Sequence, residues 1–140
     1  MLPEAATPHR PQAAPTLFID RDTWSHVLDA ALRAAGVPFE RHHDHFSRDA
    51  ADEDWIAEVG RRHWVVVTRD QRIRHRPNEL AAVRAANLHL FALTSGNLSA
   101  AQTAEVLLRA WPALQRAVAS HPPPGIWSVT RGGEVRWLKP

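Results

Sequence analysis

Short apolar runs alternate along the chain with longer stretches in which apolar residues return every third or fourth position. Leu17-Phe18-Ile19 runs into Asp20, and Val65-Val66-Val67 runs into Thr68. Both runs are brief and bounded by polar residues, which predicts buried strands over 16–20 and 64–68. Further strands are predicted over 37–42, with an edge-like or irregular entry at Pro38, and over 88–94. Between them, Trp24, Val27, Leu28, Ala31 and Leu32 recur at helical spacing over 22–35, with Asp22 as the expected cap and Gly36 closing the helix. Asp52-Glu53-Asp54 then opens a second helix, because acids in a first turn face the positive end of the helix dipole. Trp55, Ile56 and Val59 supply its buried face and Gly60 ends it.

Residues 78–86 predict a short third helix. Ser99 with Gln102 fits a capping box that starts a long fourth one, apolar at Val106, Leu107, Ala110, Trp111, Leu114 and Val118. Pro112 falls inside this helix and is expected to kink or split it. At the end of the chain, 126–130 and 134–138 flank Arg131-Gly132-Gly133 as a hairpin. The leader, 1–15, is rich in proline and poor in large apolar residues, and is expected to be disordered, leaving 16–140 as the fold. The order β-α-β-α-β-α-β-α plus a hairpin implies an α/β domain with a mostly parallel sheet, right-handed crossovers and helices on both faces.

Composition narrows the class. The chain has 140 residues, enough for one core, and no cysteine, so disulfides and thiolate metal sites are excluded. No apolar run approaches membrane-spanning length and the start of the chain has no signal-peptide core, so a soluble, cytoplasmic protein is expected. The pI of about 10.3 overstates basicity: net charge is only +2, and with one lysine, no tyrosine and no cysteine, almost nothing titrates between histidine and arginine. Distribution is more informative. Residues 40–58 carry seven acids, whereas 61–76 carry six arginines against Asp70 alone. Such neighbouring acidic and basic blocks suit a site that holds cations and faces a polyanion, and equally suit an ordinary solvated surface.

The topology brings the carboxylates together. Asp20 follows the first strand, Asp52, Glu53 and Asp54 open the helix after the second, and Asp70 follows the third, so all reach one edge of a parallel sheet, joined there by Asn97 after the fourth strand. Clustered carboxylates repel unless a cation neutralises them, and an all-oxygen donor set suits Mg²⁺ or Mn²⁺. Such ions polarise a phosphate and lower the pKa of a bound water, which points to phosphodiester hydrolysis. Arg69, Arg72, Arg74 and Arg76 are placed to hold a nucleic-acid backbone. Taken singly, Asp52 reads more readily as a helix cap with Glu53 and Asp54 as dipole-favouring neighbours; together with Asp20 and Asp70 on the same edge, the metal reading overtakes it.

The stretches Leu17-Phe18-Ile19-Asp20-Arg21-Asp22, Asp44-His45-Phe46, Asp52-Glu53-Asp54-Trp55, Val66-Val67-Thr68-Arg69-Asp70-Gln71-Arg72-Ile73-Arg74 and Leu93-Thr94-Ser95-Gly96-Asn97-Leu98 resemble a bacterial PIN-like domain, in particular the small subgroup that includes VapC-type toxins. The resemblance covers about 16–138. It implies a three-layer α/β/α ribonuclease fold in which a carboxylate quartet binds Mg²⁺ or Mn²⁺, with RNA as substrate and often an antitoxin as partner; a homodimer stays open. Asp20 then matches the first-strand aspartate, the 52–54 group the acid of the central helix, and Asp70 the aspartate of a Thr-x-Asp motif. The chain departs from the pattern at the fourth acid, where Asn97 stands, with Asp44 or Asp22 as substitutes.

Two other classes compete. A non-catalytic module of the same fold would use the basic loop to hold RNA or an acidic protein, since arginine pairs with phosphate and carboxylate alike. His42-His43-Asp44-His45 suggests an HD-type metal phosphohydrolase, which would need His43 and Asp44 and tolerate loss of Asp70. Of the six tryptophans, Trp24, Trp55 and Trp111 fall on apolar helix faces and read as core, while Trp127 and Trp137 on the hairpin are the better candidates for a contact surface.

Overall fold

The protein is seen in a computed structural model that describes residues 14–70 and 75–139. Among the described residues, one six-stranded sheet runs in the order β2-β1-β3-β4-β5-β6. The strands are β1 (Leu17–Ile19), β2 (Phe39–Arg41), β3 (Val65–Thr68), β4 (His89–Leu93), β5 (Gly125–Val129) and β6 (Val135–Lys139). The first five are parallel and β6 closes the sheet antiparallel to β5, as the terminal hairpin predicts. Among the described residues four α-helices connect them: α1 (His26–Ala34), α2 (Asp52–Arg61), α3 (Pro77–Ala86) and α4 (Ala100–Ser120).

Strand alternation explains the three layers. Leu17 and Ile19, Val65 and Val67, and Phe91 and Leu93 point to one face and pack on α1 and α4 through Leu28, Leu32, Leu107 and Leu114. Phe18, Val66 and Leu90 point to the other and meet Trp55, Ile56 and Val59 of α2 and Leu80 and Val83 of α3. Both faces of each central strand are therefore covered, which is why these runs are continuously apolar. Edge strand β2 carries Pro38 just ahead of it, where no ladder donor is needed.

Several local expectations are corrected. Helix α1 begins at His26, because the Asp20 carbonyl takes the Thr23 and Trp24 N–H groups into a turn and Ser25 then caps the helix through Leu28 N. Asp22 is thus no cap, and Val27 faces solvent, half exposed. Asp52 is the first helical residue of α2; the cap position is Ala51. The loop after β2 starts with a 3₁₀ turn over His42–Asp44. Gly60 lies inside α2: a Cβ there would come within 2.5 Å of the Ala86 carbonyl oxygen, so the glycine permits α2 and α3 to touch. Helix α4 keeps its capping box and runs unbroken through Pro112. Pro112 is exposed, and burial of Leu107 and Ala110 before it and Leu114 and Ala117 after it seats both halves on the sheet. Trp55 and Trp127 are buried, Trp24 and Trp111 pack partly on the core, and Trp137 remains exposed.

Candidate active site

In this strand order the chain leaves β1 through α1 to reach β2 on one side and returns through α2 to β3 on the other. The connections diverge there, leaving a crevice beyond the carboxyl ends of β1 and β3, where open α/β sheets bind ligands. Asp20 emerges from β1 into this crevice. Its Oδ2 accepts a 2.6 Å hydrogen bond from the Thr68 hydroxyl at the end of β3, and its Oδ1 accepts the Thr23 N–H at 3.1 Å. The same threonines brace the next loop, since Asp70 N donates to Thr68 Oγ1 and Arg69 N to Thr23 Oγ1, at 3.0 and 2.9 Å. Burial pushes the Asp20 carboxyl up to about 6 and the nearby Asp22 adds to the rise, against the lowering effect of the Thr23 and Thr68 hydrogen bonds.

Across the crevice, the buried Trp55 packs against Phe18 and donates its indole N–H to Asp52 Oδ1 at 2.9 Å, fixing the carboxylate that opens α2. Asp20 and Asp52 line one cavity of about 300 Å³ together with Arg21, Asp22, His42, Arg48, Ala50 and Trp55. His42 is buried among Phe18, Phe46 and Trp55, and its Nδ1 has no hydrogen-bond partner among the described residues. Burial, and secondarily the Arg21 charge, lowers its pKa and favours a neutral ring. A larger cavity of about 770 Å³ opens near His63, Trp64 and His89, at the amino ends of β3 and β4; among the described residues its lining contains no acid, which leaves the smaller one as the candidate site.

A further acid lies close by. Glu79, in the first turn of α3, has an Oε1 shut from solvent without a hydrogen bond among the described residues, with Arg76 Nε 3.7 Å away. Burial raises its pKa, the Asp52, Glu53 and Asp70 charges push the same way, and Arg76 opposes them. Arg76 also stands 3.2 Å from Asp70 Oδ2. A carboxylate oxygen shut from solvent in the field of three other acids fits the donor chemistry of a hard divalent cation. Among the described residues, no three Asp, Glu or His side chains stand close enough to enclose one ion. That is compatible with Mg²⁺, which commonly takes only one or two carboxylates and completes its shell with water and substrate phosphate.

The structure thus brings together part of the expected constellation. Asp20 and Asp52 share the cavity, and Asp70 sits beside it, tied to the same threonine. Glu53 and Asp54 are exposed and lie outside that cavity, Glu53 on the wall that α2 shares with α3. Arg69 is half-buried and Arg76 is ion-paired, while Arg72 and Arg74 lie outside the described residues. Asn97 is exposed in the turn after β4. Asp44 is held by both Arg41 Nε and Nη2, and His43 packs edge-on against Trp24, so the His-Asp pair of the HD-type reading is engaged by β2 and the turn before α1. Sequence reasoning passed over Arg21, Arg48 and Glu79 as site residues, and weighed His42 only within the His42–His45 motif. Their only signal was position: Arg21 adjoins Asp20, and Glu79 looks like an ordinary first-turn acid.

The sequence profile of the PIN like domain family matches residues 15–95, more than half of the chain. The chain belongs to the PIN-like domain family. The matched span runs from β1 through β4, so it contains Asp20, Asp52, Asp70 and Glu79 and stops short of Asn97. No curated protein and no solved structure matches the chain. PIN-like domains are generally nucleases that use divalent metals, and membership supports a nuclease-type function. No helix of the described residues is long and apolar enough to cross a membrane.

Proposed function

We propose that this PIN-like domain is a Mg²⁺- or Mn²⁺-dependent ribonuclease that hydrolyses RNA phosphodiester bonds, acting in the cytoplasm as the toxin of a toxin-antitoxin pair. The observation that carries the nuclease reading is the buried Asp20 carboxylate, raised to about 6 and sharing a cavity with Asp52 at the switch point of the sheet. Asp20 and Asp52, with Asp70 and Glu79 at the margin, would hold the cation, and Glu53 and Asp54 would add negative potential from outside. Bound there, a divalent ion supplies charge neutralisation at the phosphate and a more acidic water.

The chain's own residues perform the remaining work. Thr68 and Thr23 hold the Asp20 carboxylate in one orientation, and Trp55 does the same for Asp52. Arg76 steadies Asp70 and Glu79. Because Asp20 takes up a proton near pH 6, protons compete with the cation below that value. Arg69, Arg72 and Arg74 are assigned to the RNA backbone and Asn97 to the rim of the substrate groove. The toxin role rests on the resemblance to VapC-type sequences, and an antitoxin and a homodimer are its expected partners.

The test is cleavage of a mixed RNA pool with Mg²⁺, Mn²⁺ or chelator, comparing wild type with Asp70→Asn. Metal-dependent cleavage lost in the variant is expected; full activity of pure Asp70→Asn protein would refute the assignment. A second reading, a non-catalytic RNA-binding module, draws on the lack of a closed cage among the described residues. It predicts RNA binding without turnover in any metal. Co-expression with the product of the adjacent gene tests the toxin role, since an antitoxin should restore growth.

A further inference from the structure

The cavity shared by Asp20 and Asp52 carries a second set of charges that the acids do not explain. Arg21 extends from the residue after Asp20 and Arg48 from the loop before α2, and both line it. Three carboxylates line the same space, yet among the described residues neither arginine forms an ion pair with any of them. Arg21 Nε is closed off from solvent and, among the described residues, has no hydrogen-bond partner. A buried donor on a charged group without an acceptor is costly, and native folds rarely keep one unless something outside the chain supplies the acceptor. The loop carrying Arg48 is shaped locally by the Ser47 hydroxyl, which donates to Asp49 at 3.0 Å, and Arg48 itself is exposed at the cavity mouth.

A lining that carries both carboxylates and guanidiniums matches a ligand that is itself divided into a cation and an anion. Arginine's planar fork fits a phosphate with two parallel hydrogen bonds, which a single ammonium cannot supply. The volume of about 300 Å³ admits a phosphate group with its attached sugar but not a folded segment of RNA. We infer that Arg21 and Arg48 form a phosphate clamp in this cavity, gripping one phosphate of a nucleic-acid strand beside Asp20 and Asp52. The clamp deepens the nuclease reading and rests on it for the identity of the strand. It assigns phosphate contact to two arginines outside the basic 69–76 stretch, and predicts that Arg76, already paired with Asp70, contributes less than either.

The phosphate is either an internal phosphodiester or a terminal phosphomonoester, and one binding experiment distinguishes them. A short single-stranded RNA labelled at its 3′ end, made with a 5′-phosphate or a 5′-hydroxyl, is titrated by fluorescence anisotropy with chelator present so that turnover is absent. Arg21→Gln and Arg48→Gln are each expected to weaken binding about tenfold, the worth of one charge-assisted hydrogen bond. Arg21→Lys should restore only part of the loss, and Arg136→Gln, a charge change on the distant β6, less than twofold. Equal affinity of wild type for both RNAs, with equal loss in the variants, identifies an internal phosphodiester. A preference for the 5′-phosphate that disappears in the variants identifies a terminal one. Wild-type affinity in folded Arg48→Gln and Arg21→Gln, or no binding by wild type, overturns the clamp. Should Arg21→Gln not fold, Arg48→Gln on its exposed loop decides alone. Lost binding in the variants without cleavage by wild type would keep the clamp and refute the nuclease, and cleavage with unchanged binding would do the reverse.

Discussion

Replacing Asp20 with asparagine should make the metal-free protein more stable at neutral pH while abolishing cleavage. The carboxyl titrates near 6 in the folded chain against 3.8 ordinarily. At about 1.36 kcal/mol per pH unit, that rise corresponds to about 3 kcal/mol of destabilisation once the group is ionised. The sign follows from proton counts. Between about pH 4 and 6 the unfolded chain has released this proton and the folded chain keeps it, so wild-type stability falls as pH rises through that window and is flat above it. Asparagine removes the fall. Its Oδ1 still accepts the Thr23 N–H, but its amide nitrogen faces the Thr68 hydroxyl, which must turn and lose its acceptor, a cost of about 1 kcal/mol. The variant should therefore be about 1 kcal/mol less stable than wild type below about pH 4 and about 2 kcal/mol more stable above about pH 7. Urea unfolding with chelator across that range measures the difference. A difference that does not change with pH, or a variant that is less stable at neutral pH, would refute the raised pKa and with it the main support for the metal site. Added Mg²⁺ should reverse the order, because mass action stabilises only the chain that binds it.

Two further outcomes follow from neighbouring contacts. Thr68→Val removes a hydrogen bond that lowers the Asp20 pKa, so the acid limb of the cleavage profile should move to higher pH, at a stability cost of about 1–3 kcal/mol for the two hydrogen bonds lost, to Asp20 and from Asp70 N; an unmoved limb in the pH–rate profile counts against the Asp20 role. Gly60→Ala should destabilise by about 1–3 kcal/mol despite alanine's better helix propensity, because the new methyl meets the α3 backbone at Ala86; a higher melting temperature would show that the two helices separate freely.

Periodicity alone carried most of the architecture. The apolar runs at 17–19 and 65–67, the Ser99–Gln102 capping box and the Gly132-Gly133 turn each signal their element through local chemistry, and local chemistry survives in the folded chain. The misplaced boundaries arose where a distant or competing bond won. Asp20 draws Thr23 and Trp24 into a turn that delays α1, and burial on both sides of Pro112 overrides its helix-breaking tendency.

The site divides in the same way. That acids follow β1, open α2 and follow β3 is written in the sequence, because strand order and right-handed crossovers place those points along one edge. Which acids share a cavity is not. Asp52 enters it while Glu53 and Asp54 do not, because successive helical residues point about 100° apart and Trp55 anchors only the first of the three. Glu79, Arg21 and His42 acquire their chemistry only on burial, when lost water, facing charges and missing partners perturb groups that look ordinary along the chain. Residue types and their order thus determined the fold and the kind of chemistry, whereas exposure and electric field, which depend on packing between segments far apart in sequence, decided which side chains can carry it.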